Sequence, residues 1–168
     1  MGNGIGFRFG KCGYDITAYL GISFAFPQVY QEVVTAVRKG KFGREWKELF
    51  ERTSWAAVDA NRELYVCSAC GRFREDMNLC LYEPKDADVT VVRDEAHSGF
   101  MPSEVTEYVT PAELKNRYRL VKVYPHLCRC GKRMHQYREG DRLKCPKCKD
   151  GWMEYDPSGW ITGIDSAG

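Results

Sequence analysis

The sequence predicts a small α+β fold with short antiparallel sheets, and three observations carry that reading. Two segments repeat apolar residues at helical spacing, several others alternate with the two-residue period of a strand, and most of the eight cysteines fall in close pairs or Cys–Gly turns. The 168 residues are 43% hydrophobic and 13% aromatic, which excludes wholesale disorder and provides for a core.

The elements follow in order. Phe7 to Phe24 alternates around Lys11-Cys12-Gly13 and predicts a hairpin there. Pro27 opens a helix, where its missing N–H costs nothing, and Val29, Val33 and Val37 mark its buried face up to Gly40. A second helix over 43–52 aligns Trp46, Leu49 and Phe50. Strands are expected over 55–66 and 72–82. The acid-, Gly- and Pro-containing stretch 83–107 reads as loop with one strand at Val89–Val92. Thr110-Pro111-Ala112-Glu113 is a helix start in which Thr110 caps and Glu113 reaches back; the helix ends near Tyr118, and 120–124 is a strand.

The cysteines carry the chemistry. No basic segment followed by an apolar run is legible at the start, so the expected location is cytoplasmic. There, close cysteine pairs more often hold a metal than form disulfides. Nothing approaches the roughly 20 apolar residues of a membrane span. Cys128-x-Cys130 and Cys145-x-x-Cys148 lie fourteen residues apart. Each short spacing lets one turn aim two sulfurs at one point, and a hairpin of strands 133–138 and 142–144, turning at Glu139-Gly140-Asp141, would bring the turns together. Cys128, Cys130, Cys145 and Cys148 are therefore expected to form one complete four-thiolate Zn²⁺ site.

These residues resemble the zinc ribbon family, in which two cysteine knuckles flank a β-hairpin. The N-terminal half resembles a second ribbon stretched by a helical insertion, with Cys12-Gly13 and Cys67-Ser-Ala-Cys70-Gly71 as its knuckles. A complete second site would have cysteine at position 9, where this chain has Phe9. Cys80 is either the missing ligand or a small buried apolar residue. More loosely, the chain is similar to small uncharacterised bacterial zinc-ribbon proteins. The resemblance implies two zinc-ribbon-like β units and one or two zinc ions, arranged as 1–84 (ribbon-like, with the insertion), 85–109 (acidic loop) and 110–168 (helix plus C-terminal ribbon). It implies no activity.

Charge suggests a partner. Residues 112–150 carry twelve Lys/Arg against four Asp/Glu, whereas 55–111 carry five against eleven. Arg129, Lys132, Arg133, Arg142, Lys144 and Lys147, with Tyr137 for stacking, are candidate nucleic-acid contacts. The alternative is a zinc-stabilised protein adaptor using the acidic middle together with Trp152 and Trp160. His126 and His135 flank the Cys128–Cys130 knuckle and read as surface residues, with substitute ligands or supporting groups as the alternative. No nucleophile motif or phosphate loop is present, so no small-molecule substrate is indicated and a small enzyme is the least favoured alternative.

Overall fold

The structure, a computed structural model, describes residues 3–22, 26–86, 108–148, 151–152 and 160–161. It is a small α+β fold. In chain order the elements are strands β1 (Asn3–Phe9) and β2 (Tyr14–Leu20), helices α1 (Phe26–Arg38) and α2 (Arg44–Arg52), strands β3 (Ala57–Val58), β4 (Arg62–Val66), β5 (Phe73–Met77) and β6 (Leu81–Pro84), helix α3 (Pro111–Arg117), and strands β7 (Tyr118–Lys122), β8 (His135–Gln136) and β9 (Trp160–Ile161). The expected strand at Val89–Val92 lies outside the described residues.

The chain divides into two compact units that interleave along the sequence: residues 1–22, 61–77 and 125–168 form the first, and 23–60 with 78–124 form the second. This division cuts across the blocks 1–84, 85–109 and 110–168 expected from the sequence. The helical insertion and the Thr110 helix belong to one unit, and the first hairpin shares the other with the C-terminal segment.

In the second unit, local chemistry sets the helix ends. Gly40, at φ 73°, ends α1 with two bonds that only a left-handed residue allows: its N–H donates to Val37 C=O, and Lys41 N–H donates to Ala36 C=O. Thr110 and Glu113 close the expected capping box on α3. Val33 and Val37 of α1 and Trp46, Leu49 and Phe50 of α2 are buried, as their spacing predicts, while Tyr30 is buried in place of the half-buried Val29. The Trp46 indole N–H donates to Leu79 C=O at 3.0 Å, satisfying its one polar atom inside the core. Antiparallel β3, β6 and β7 complete this unit.

The first unit carries all the cysteines except Cys80. Its two three-stranded antiparallel sheets run β2-β1-β9 and β5-β4-β8. Strand β4 is buried on both faces, and its alternation assigns each side chain to a core. Leu64 and Val66 pack with Phe7, Phe9, Ala18, Leu143 and Cys145, while Tyr65 joins Cys67, Cys128 and Met134. The expected hairpin of 133–138 with 142–144 does not form. His135 and Gln136 instead pair with Val66 and Tyr65 of β4, and Lys144 bridges Trp152. Buried contact with β4 offers both Met134 and the Tyr137 ring apolar partners that an isolated hairpin would leave in water.

Leu64 is 1% exposed. Replacing it with alanine is expected to cost about 2–5 kcal/mol in urea unfolding of the metal-loaded protein, because the site is walled by two sheets and collapses little. A change below about 1 kcal/mol would show that β4 is not central to this core.

Candidate metal centre

Two sets of cysteine sulfurs converge, and both differ from the grouping expected from the sequence. Cys67, Cys70, Cys128 and Cys130 place all four Sγ atoms within 4.8 Å of one another, and Cys12, Cys145 and Cys148 do the same. The set Cys128, Cys130, Cys145 and Cys148 is therefore split: its first pair meets the knuckle after β4, and its second meets the turn between β1 and β2. The convergence expected of Cys12 with Cys67 and Cys70 is replaced in the same way. The pairing is nested, outer turn with outer turn and inner with inner.

The turns share one local design. Gly71 N–H donates to Cys67 C=O at 2.8 Å, and Gly13 N–H donates to Phe9 C=O at 2.8 Å. The one-residue-shorter knuckle closes with Gly131 N–H on Cys128 C=O at 2.9 Å. Gly13, Gly71 and Gly131 have φ of 63°, 68° and 81°, the left-handed turn that brings the chain back past its own sulfurs. Gly71 is also fixed by space, since a Cβ there would lie 2.5 Å from the Trp152 ring.

The inner set fits a four-coordinate metal. Tetrahedral zinc with Zn–S bonds of about 2.3 Å requires sulfurs roughly 3.8 Å apart. Cys67 Sγ–Cys130 Sγ and Cys70 Sγ–Cys128 Sγ are both 3.6 Å, while all eight cysteines are free of disulfides. Cys67 and Cys128 are buried and Cys130 is exposed, so the centre lies at the surface edge of a core. Electrostatics point the same way. A hydrogen bond from the Cys130 backbone N–H, aided by the neighbouring thiols, holds Cys128 down at about 7 against the effect of burial. The Arg72 backbone N–H draws Cys70 down, but burial and the thiols of Cys128, Cys67 and Cys130 outweigh it and push Cys70 up to about 12. One thiolate forms readily and the next resists. A cation at the centre removes that resistance, which is how a metal displaces thiol protons.

The outer set holds three sulfurs, with Cys12 Sγ–Cys145 Sγ at 3.6 Å. Phe9 takes the position in its turn that Cys67 takes in the inner knuckle, and its fully buried ring stacks at 6.2 Å on Tyr14 and on Phe73. Burial raises the Cys145 thiol, but N–H groups of Cys148 and Lys147 and the thiols of Cys12 and Cys148 bring it below its ordinary value. Gly151 leaves room for Cys148, whose sulfur would lie 2.7 Å from a Cβ at 151.

The remaining candidates divide. Cys80 joins neither set; it is buried in the other unit, where burial raises its thiol. Arg129, Lys132 and Arg133 are exposed on and after the inner knuckle and have no ion-pair partner among the described residues. Tyr137 is not a free stacking platform, because its ring packs edge-on against Phe7 at 5.5 Å. The Arg142 guanidinium lies over the Trp152 ring at 4.5 Å, and Lys147 Nζ lies 5.8 Å from the Tyr14 ring. Lys144 is half-buried beside Gly71. The Trp160 side chain lies outside what the structure describes. Of the two histidines flanking the inner knuckle, His126 is not a surface residue: it is 3% exposed, stacks on Tyr65 at 3.6 Å and meets Asp76 through Nδ1 at 3.3 Å. Its place two residues before Cys128 was the signal available.

No family model, curated protein or solved structure matches this chain. The nested grouping makes a sharp prediction. Cys70→Ser and Cys130→Ser should remove the same metal equivalent by elemental analysis of the purified protein, and Cys148→Ser should leave that equivalent bound. Loss of one shared equivalent in Cys130→Ser and Cys148→Ser, with Cys70→Ser unaffected, would restore the sequential pairing.

Proposed function

We propose that this protein is a zinc-stabilised, non-catalytic binding module that contacts nucleic acid through the cations around the Cys128–Cys130 knuckle. The observation that carries the reading is the pairing of a closed four-sulfur set with a basic turn whose cations have no ion-pair partner among the described residues. Four thiolates fill a tetrahedral ion, leaving no position for an activated water, so the inner centre suits a structural role. Zinc fits the donor set because it favours four soft ligands without redox chemistry. The resemblance of the knuckles to zinc ribbons agrees with that assignment.

Arg129, Lys132 and Arg133 project from a turn held rigid by the metal, so a phosphate backbone meets them with little ordering cost. Tyr137 is withdrawn from the interface, and the contact is then dominated by charge rather than base stacking. A protein-adaptor reading has its own observation. Leu120, Val121 and Val123 are exposed, at 51%, 37% and 62%, along and just beyond β7, the edge strand of its sheet among the described residues. A partner strand could pair there.

The two readings separate experimentally. Binding to a mixed-sequence oligonucleotide should weaken steeply with salt, and Lys132→Glu with Arg133→Glu should reduce affinity at least tenfold and flatten the salt slope by about two contacts. Zinc content should stay unchanged. Undiminished affinity in that double variant would remove the nucleic-acid reading and leave the β7 edge as the better candidate.

A further inference from the structure

We propose that Cys12, Cys145 and Cys148 form a second metal centre of a different kind, a three-thiolate site whose fourth position takes an exchangeable small ligand. The inference goes beyond the structural role given to the inner centre and does not depend on nucleic-acid binding.

Three observations carry it. The three sulfurs lie within 4.8 Å of one another, with Cys12 and Cys145 at 3.6 Å, the spacing that a common metal ion requires. The turn that supplies Cys12 has the same closing bond and left-handed glycine as the inner Cys67–Cys70 knuckle, so its first position is where a fourth sulfur would arise. That position is Phe9, whose ring is fully buried among Tyr14 and Phe73 and cannot ligate. Among the described residues, no other Cys, His, Asp or Glu joins the set.

The chain is nonetheless shaped around these sulfurs. Cys145 N–H donates to Gly151 C=O at 2.8 Å, which folds the segment back over the turn, and only a residue without Cβ clears Cys148 Sγ there. Cys12 is exposed while Cys145 is buried, so the site has one wall in the core and one rim in water. A four-coordinate ion on three thiolates completes its shell from the rim, with water at rest. A thiol or an imidazole can replace that water; a thiol enters as thiolate and gives its proton to solvent. Metals bound this way exchange ligands, whereas a closed four-thiolate ion does not.

Cobalt(II) reports the coordination directly, because its sulfur charge-transfer and ligand-field bands change with the ligand set. The reduced, full-length protein should take two equivalents of Co²⁺. Adding imidazole or 2-mercaptoethanol should shift the bands of one equivalent and leave the other unchanged. Cys12→Ser should abolish the responsive equivalent alone. Phe9→Cys should retain both equivalents and end the response, since the chain then supplies the fourth sulfur. Should that variant fail to fold, the ligand titration of the unaltered protein still decides. Binding of one equivalent only, or two equivalents that both ignore the added ligands, overturns the proposal.

Discussion

The fold of the first unit depends on one constraint: four sulfurs from two distant segments must reach a common point. Cys67 and Cys130 are 63 residues apart, and Cys70 and Cys128 are 58 apart, yet each pair is separated by 3.6 Å. Holding them together lays residues 135–136 along β4 in fixed register. The chain leaving β8 then delivers Leu143 and Cys145 onto the Phe7–Phe9–Leu64 core. Sulfur cluster and apolar core are two parts of one arrangement, because Cys67 and Cys128 belong at once to the four-sulfur set and to the buried cluster around Tyr65 and Met134.

Charge ties the same centre to the surface. A divalent ion with four thiolates keeps a net negative charge, and backbone N–H groups of the knuckle turns offset part of it. Arg129, Lys132 and Arg133 lie on and beside the turn that carries two of those thiolates. Their exposed ends remain available to an anionic partner.

Much of this was legible in the sequence, and the limits have a physical cause. The Thr110 capping box, the buried faces of α1 and α2 and the hairpin at Cys12–Gly13 are set by neighbours within a few residues, so spacing alone reveals them. The knuckles are equally local: a Cys pair and a glycine define the turn. Which knuckle meets which is not local. Closing the fourteen-residue loop from Cys130 to Cys145 rather than the 57 residues from Cys70 to Cys128 saves only about 1 kcal/mol of chain entropy. Burying Leu64, Val66 and Leu143 together outweighs that difference, at about 1.5–3 kcal/mol for each aliphatic side chain. Proximity in sequence is a weak guide once a core is at stake. Tyr137 illustrates the same point. Its place among the basic residues suggests an exposed stacking ring, but β8 is only two residues long and the ring packs against Phe7 in the core.

Cysteine accessibility in the presence of one equivalent of zinc tests the nested pairing most directly. The native protein is treated with a small alkylating reagent, and each site is read by peptide mass spectrometry against a chelator-treated control. The account predicts that zinc protects Cys67, Cys70, Cys128 and Cys130 as one set, with exposed Cys130 showing the largest change, while exposed Cys12 still reacts. Protection of Cys128, Cys130, Cys145 and Cys148 together, with Cys70 left reactive, would contradict it.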